Sequence, residues 1–168
     1  PTIAIDDSDN KWIGTYGGGL AKFDGTSWTV YNNSNSGLPD NNVFTLAIDG
    51  SGQKWIGTTN NVLTIFDGTN WNIYDATMPS IPSNSVRSIV IDGTGNKWIG
   101  TYDGGLAKFD WTNWTVYNSS NSGLPNNYLA SVTIDGNGNI WVGTSFAGLT
   151  KFDGNNWNVI EGPKTKRG

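Results

Sequence analysis

Three turns of this sequence combine an aromatic ring with small polar neighbours, a combination suited to binding sugars. They read Tyr16-Gly-Gly, Tyr102-Asp-Gly and Ser145-Phe-Ala, and nearby loops are rich in Asn and Ser. Rings stack on the apolar C–H faces of a sugar, while amides and hydroxyls bond its hydroxyl groups. Rings that merely pack across turns would give the same pattern, so both interpretations stay open. The candidate ligand-binding residues are Tyr16, Tyr102, Asp103 and Phe146 in these turns, and Asn60 in the corresponding turn Thr59-Asn-Asn.

A second set of turns carries oxygen side chains at alternate positions, as the start of a calcium-binding loop does. The candidate ligands are Asp6, Asp135, Asn137 and Asn139. A hairpin turn has the same composition when Asp accepts backbone N–H groups and Gly takes a positive φ. No Glu follows at the spacing of a calcium loop. We therefore favour the hairpin interpretation and expect neither a metal site nor a cofactor.

The composition of the chain excludes most catalytic arrangements. Its 168 residues contain no His and no Cys, which rules out an imidazole base, a catalytic triad, a thiolate nucleophile and a metal held by His or Cys. The formal net charge of −4 at pH 7 disfavours nucleic-acid binding, because a phosphate backbone repels an acidic protein. No apolar run approaches the ~20 residues that span a bilayer. We expect a protein that is not an enzyme and does not span a membrane.

The elements that must position these turns repeat along the chain. Trp12 and Trp28 each recur every 43 residues in four copies, as do Gly-Thr, Phe-Asp and Ile-Asp pairs. Copies one and three are more alike than neighbouring copies are, which gives the pattern A-B-A′-B′ with a second period of 86 residues. The same residue type in every copy is what a packing role requires. We therefore assign the eight periodic Trp residues to the core.

Two features lie outside the repeat. Trp111 is the ninth Trp, and the other three copies have Gly at its position. We expect Trp111 in an exposed hairpin, where it is either a contact residue for another molecule or an ordinary substitution. The segment 162–168 carries a basic cluster, and we expect this tail to be disordered.

Each copy of the repeat predicts four short strands joined by turns. In the second copy the predicted strands are Val43–Ile48, Lys54–Thr58, Val62–Phe66 and Trp71–Tyr74. The segments between them are rich in Gly, Asn and Asp, which form turns. A four-stranded meander followed by a longer polar loop is the blade of a β-propeller. The sequence therefore predicts an all-β propeller domain at 1–161, with four blades at 1–40, 41–83, 84–126 and 127–161.

The repeat resembles the two-component regulator propeller repeats, which occur in periplasmic sensor regions of bacterial hybrid two-component systems and in secreted bacterial proteins. The shared patterns are Leu-Pro-x-Asn-x-Val, Ile-Asp-x-x-Gly-x-x-Trp-Ile-Gly-Thr and Gly-Leu-x-x-Phe-Asp, best matched at Leu38–Asp67 and Leu124–Asp153. The resemblance implies a propeller fold and an extracellular or periplasmic location. It implies no catalytic residues, because the residues of the repeat pattern are structural.

The number of repeats raises the question of how a ring closes. Members of this family usually close a ring of about seven blades in one chain, whereas four copies are present here. The duplicated A-B unit favours an even number of blades. We hypothesise that two chains form a homodimeric eight-bladed ring through the open faces of the first and last blades, or that the chain is part of a longer array.

These observations favour a non-catalytic extracellular propeller module for assembly or ligand binding, with a carbohydrate as the favoured ligand. The alternatives are the sensor region of a bacterial two-component signalling receptor, and a purely structural or engineered repeat scaffold. A lyase similar to the streptogramin-inactivating propellers is disfavoured, because that mechanism relies on a His base and a metal.

Overall fold

The structure, a computed structural model, describes residues 1–59, 63–75, 81–83 and 85–160. Its regular elements are sixteen β-strands of four to six residues. The described residues contain no helix, and so none that is long and apolar enough to cross a membrane. Asn60 and the tail at 162–168 lie outside the described residues.

The strands form four separate antiparallel sheets, each in simple meander order, which are the four blades. Blade 1 contains β1 (Thr2–Ile5), β2 (Lys11–Gly14), β3 (Leu20–Phe23) and β4 (Trp28–Tyr31). Blade 2 contains β5 (Val43–Ile48), β6 (Lys54–Thr58), β7 (Leu63–Phe66) and β8 (Trp71–Tyr74). Blade 3 contains β9 (Val86–Ile91), β10 (Lys97–Thr101), β11 (Leu106–Phe109) and β12 (Trp114–Tyr117). Blade 4 contains β13 (Leu129–Ile134), β14 (Ile140–Thr144), β15 (Gly148–Phe152) and β16 (Trp157–Ile160). The predicted all-β propeller fold with four-stranded blades is confirmed.

The blades stack face to face through their inner strands. β5 packs between β1 and β9, and β13 packs on the other side of β9. β1 and β13, at the two ends of this series, show no comparable packing among the described residues. The chain therefore forms an arc of four blades, with one free sheet face at each end.

The core lies in the three junctions between neighbouring blades. Each junction joins Trp and Leu side chains of one blade to aliphatic side chains of the next. At the second junction, for example, Trp55 and Leu63 pack with Ile89 and Ile99. Burying a side chain of this size contributes roughly 1.5–3 kcal/mol, so the periodic apolar positions hold the blades together.

The glycine in the second strand of blades 1, 2 and 3 permits this close packing. A Cβ atom on Gly57 would lie 2.7 Å from Cγ1 of Val86, which belongs to the next blade. Real Cβ atoms do not approach other carbons this closely, so a larger residue would force the blades apart. The repeated Gly-Thr pair is therefore a packing feature.

Candidate ligand-binding surface

In blades 1, 3 and 4, the turns between the second and third strands lie on one side of the arc, beside the starts of the inner strands. The amide of Tyr102 donates to the carbonyl of Ser85, 2.9 Å away, and the amide of Ser145 donates to the carbonyl of Tyr128 at 2.8 Å. The amide of Gly105 reaches the carbonyl of Asn127, in the segment that leads into blade 4. Because these bonds tie each turn to the beginning of an inner strand, the rings that the turns carry have fixed relative positions.

A continuous row of packed side chains crosses all four blades on this side of the arc. Arg87 lies between two rings, with its guanidinium carbon 4.9 Å from the ring centres of both Phe44 and Tyr102. Neighbouring rings in the row meet edge to face, with their centres 5.4–6.1 Å apart. We call this set the aromatic row; its members, in order, are Tyr16, Phe44, Arg87, Tyr102, Tyr128 and Phe146.

β-Bulges place two members of the aromatic row. The pairing of β5 with β6 shifts between Val43 and Thr45, so Phe44 is an extra residue without a partner. The same shift in β9 leaves Arg87 as the extra residue. A bulge turns its side chain away from the regular direction of the strand. Both side chains are thereby directed toward the turns on this side of the arc.

A cavity of about 240 Å³ adjoins the middle of the aromatic row. Its lining residues are Arg87, Tyr102, Leu129, Ala130 and Ser145. The Nε atom of Arg87 is buried and has no hydrogen-bond partner among the described residues. A buried donor without a partner is costly, so the guanidinium is a ready donor for a ligand oxygen.

The predicted turn residues fall into three groups. Tyr16, Tyr102 and Phe146 are brought together in the aromatic row, and Tyr16 and Phe146 are about three-quarters exposed, at 76% and 75%. Asp103 lies beside them and accepts a hydrogen bond from the hydroxyl of Ser83. The third group is Asn60 alone, which lies outside the described residues.

Trp111 lies in the hairpin between β11 and β12, on the side of blade 3 opposite to the aromatic row. Its backbone has a φ of +76°, the region in which the other repeats place Gly. The ring covers the ammonium of Lys97, whose Nζ is 2.8 Å from the ring centre, and it remains half exposed. Trp111 is therefore separate from the aromatic row.

The candidate calcium turns use their carboxylates within the protein. Asp6 accepts hydrogen bonds from the Nε1 atom of Trp12, the side chain of Asn10 and the amide of Ser8. Asp135 is bound in the same way by Asn139 and by Trp141. Partial desolvation opposes the charge of Asp6, but these donors outweigh it and lower its pKa to about 2. Among the described residues, no group of three or more acidic side chains is placed to hold a metal ion.

A second cavity, of about 400 Å³, follows the far ends of the inner strands. Most of its lining residues are aliphatic: Ala47, Ile48, Val90, Ile91 and Ile134, with Thr133. It offers no charged side chain, so the aromatic row is the better candidate site.

The sequence pointed to the rings in the turns but not to Phe44, Arg87 and Tyr128, which connect them. Phe44 and Arg87 occupy the same place in successive repeats, where blade 4 has Ala130. That variation within an otherwise apolar inner strand was the feature of the sequence from which a role for this position outside the core could have been predicted. The contact between the guanidinium and rings of two blades depends on how the blades stack.

Comparison with known proteins supports the family resemblance. The two component regulator propeller family matches residues 80–103 and 123–146. Among curated protein sequences, none matches the chain significantly.

Solved structures with similar folds include extracellular domains of two-component systems and a lyase. The extracellular domain assigned to a hybrid two-component system of B. thetaiotaomicron has 27% identity and a TM-score of 0.80, covering 90% of this chain and 21% of that one. A second such domain from the same organism has 22% identity and a TM-score of 0.78, covering 96% and 21%. Virginiamycin B lyase from Staphylococcus aureus has 18% identity and a TM-score of 0.75, covering 97% and 55%. The last two identities show a shared fold alone.

The chain spans about a fifth of the length of the two extracellular domains and about half of the lyase. The arc of four blades thus corresponds to only part of each of these structures. Together, the two matched segments, the stacked four-stranded sheets and the likeness to these extracellular domains show a β-propeller fold whose repeats resemble those of the two component regulator propeller family.

Proposed function

We propose that this chain is a non-catalytic ligand-binding part of an extracellular or periplasmic sensor propeller, and that its ligand is a carbohydrate. The observation that carries the proposal is the aromatic row, which crosses all four blades on one side of the arc. The relatives from B. thetaiotaomicron are extracellular domains of two-component systems, which supports both the location and the sensor role.

The chemistry of the aromatic row suits a sugar. Tyr16 and Phe146 expose most of their ring surface, which can stack on the C–H face of a pyranose. Between them, Arg87, Tyr102 and Ser145, which carry a guanidinium and two hydroxyls, line one cavity. Few, well-placed polar groups within an apolar surface are typical of small-ligand sites.

The carboxylates support a non-catalytic role. A general acid or base works best with a pKa near the working pH. Among the described residues, every Asp with a resolved shift has a lowered pKa, chiefly through hydrogen bonds inside its own turn. Such carboxylates are weak bases held in fixed turns.

The two free sheet faces support an assembly role as part of the same function. Large apolar side chains are exposed on both end blades, including Ile3, Trp28 and Leu149. Exposed apolar surface of this kind favours association with another protein surface. We infer that the chain associates with itself through these faces.

A glycan array probed with the fluorescently labelled chain tests the ligand. Isothermal titration calorimetry then gives the affinity for each glycan that binds. Tyr102→Ala and Arg87→Gln should each weaken binding about tenfold or more, because they remove stacking and the buried donor at the centre of the row. Trp111→Gly is the matched control: it removes an exposed ring on the side of blade 3 opposite to the aromatic row, and it should leave the affinity for the glycan unchanged.

Two results would contradict this function. One is the absence of binding to any glycan on the array, and the other is an affinity that the row variants leave unaltered. In the first case, a stable multimer of the same preparation would favour the second candidate function, a purely structural assembly module.

A further inference from the structure

The outward face of blade 1 has the composition of a blade junction, but no described residue of another blade packs against it. Ile3 is 64% exposed, whereas the equivalent residues Leu46, Ile89 and Val132 are between 5% and 7% exposed in the three junctions. Trp28 is 63% exposed, and its counterparts in the other blades are partly buried. We call this surface the blade-1 end face; it includes Ile3, Ile5 and Trp28.

The outward face of blade 4 shows the complementary half of a junction. Leu149 is 40% exposed, while its counterparts Leu20, Leu63 and Leu106 are fully buried against the next blade. Trp141 is likewise more exposed than the equivalent Trp residues of the other blades. We call this surface the blade-4 end face; it includes Trp141, Leu149 and Ile160.

The junction between blades 2 and 3 shows how two such faces fit. Lys97 of blade 3 places its Nζ 4.9 Å from the ring centre of Trp55 in blade 2, and 3.2 Å from Oδ2 of Asp49. Lys54 lies over Trp12 in the same way, at 4.5 Å, in the first junction. A lysine from one blade thus packs on the Trp of the preceding blade, close to the Asp that binds the Trp nitrogen.

The period of 86 residues maps this junction onto the two ends of the arc. It relates Lys97 to Lys11 on blade 1, and Trp55 and Asp49 to Trp141 and Asp135 on blade 4. Lys11 is partly exposed and pairs with the exposed Asp9. The lysine and the Trp–Asp pair therefore lie on opposite ends of the arc, and a second copy of the chain can bring them together.

We propose that blade 4 of one copy packs against blade 1 of a second copy, with Lys11 over Trp141 and beside Asp135 of its neighbour. This proposal rests on the self-association inferred above and specifies its contact. It follows the B–A′ junction already present between blades 2 and 3, with Lys151 and Ile160 at the positions of Ile65 and Tyr74. Two such joints between two copies close a ring of eight blades with two-fold symmetry.

The faces pair with each other and not with themselves. Two blade-1 end faces would present each Lys11 to a second Lys11, whose neighbouring Asp9 is already paired within its own copy. Two blade-4 end faces would present one Trp141–Asp135 pair to another, and the cation beside them, Lys151, already lies over Trp141 of its own copy. Like charges at a contact oppose association, so a head-to-tail arrangement is the favoured one.

A mixing experiment with two variants tests the joint. Ile3→Asp blocks the blade-1 end face and Leu149→Asp blocks the blade-4 end face; both residues are exposed, so circular dichroism should show intact folding. Light scattering should give twice the 18.1 kDa of one chain for the wild type, and a single chain for each variant alone. An equimolar mixture should regain a two-chain species, because one intact face of each kind remains. Thr69→Asp, in an exposed hairpin of blade 2, is the control and should behave as wild type.

Lys11→Glu tests the charge contact separately. It places a second carboxylate beside Asp135 and should weaken the association about 30-fold or more. Sedimentation velocity over a range of concentrations measures this change.

The outcomes separate the two proposals. A wild-type chain that stays monomeric at high concentration would overturn both self-association and the joint, without affecting the ligand proposal. If the wild type associates but either single variant alone does so as well, self-association stands and the head-to-tail joint is overturned. The joint is also overturned if the mixture of the two variants stays monomeric.

Discussion

The Nζ atom of Lys97 lies 3.2 Å from Oδ2 of Asp49, and both side chains are completely buried between blades 2 and 3. Asp49 also accepts hydrogen bonds from the hydroxyl of Ser51, the amide of Gln53 and the Nε1 atom of Trp55. Burial lowers the pKa of Lys97, and the carboxylate beside it counteracts this effect. The pair therefore joins two blades through a carboxylate that its own turn already stabilises.

This arrangement predicts an unusual tolerance at position 97. Removing one member of a buried ion pair typically costs about 3 kcal/mol or more, and Lys97→Ala should show this loss because it also leaves a cavity. Lys97→Ile should cost only about 1 kcal/mol, because the three other donors still bind Asp49 and the next junction has Ile140 at the equivalent position, fully packed. Urea unfolding followed by Trp fluorescence measures both. Equal destabilisation by the two variants would show that the charge itself is required.

Trp111 offers a test of backbone strain against side-chain contact. Its φ of +76° is unfavourable for any residue except Gly, while its ring lies on the Lys97 ammonium. Trp111→Ala loses the contact and keeps the strain, whereas Trp111→Gly loses both. We expect the Gly variant to be more stable than the Ala variant by about 1 kcal/mol, measured from their urea midpoints. Equal midpoints would mean that the hairpin changes its conformation when the ring is removed.

The parts of this molecule that the sequence predicted are those set by the repeat. The period of 43 residues located the strands and the Trp residues of the three junctions, because each repeat meets its neighbours in the same way. The assignment of Trp28 to the core was wrong: it lies on the outward face of blade 1 and is 63% exposed. The aromatic row was only partly predictable. Its connection through Arg87 needs a β-bulge and rings from two blades, and neither feature has a signature within one repeat.

Acid should destabilise the protein within a defined range of pH. The pKa of Asp92 is lowered from 3.8 to about 2, because hydrogen bonds from Trp98, Thr94 and Asn96 outweigh its desolvation. Asp6 is lowered to about 2 in the same manner. A carboxyl whose pKa is lower in the folded state stabilises the fold above its unfolded pKa and ceases to do so as the pH falls through its folded pKa.

The free energy of unfolding should therefore be nearly constant from pH 7 to pH 5, and it should fall between about pH 4 and pH 2. Asp92→Asn should lower stability at pH 7 and reduce the slope in the acid range, since it removes one of the groups that titrate there. Urea unfolding at a series of pH values provides the measurement. An unchanged slope in the variant would assign the acid sensitivity to other carboxyls.

The close approach between blades predicts the effect of a single methyl group. A Cβ at Gly57 would lie 2.5 Å from Cγ2 of Thr45 and 2.7 Å from Cγ1 of Val86, so Gly57→Ala must push two blades apart or distort β6. Overpacking of this kind costs about 2 kcal/mol, and the loss should appear as a lower urea midpoint. Gly50→Ala is the matched control, because a Cβ there meets nothing within 4 Å and its stability should change by less than about 0.5 kcal/mol. Equal effects of the two substitutions would mean that the glycine in the second strand is not what allows the blades to pack so closely.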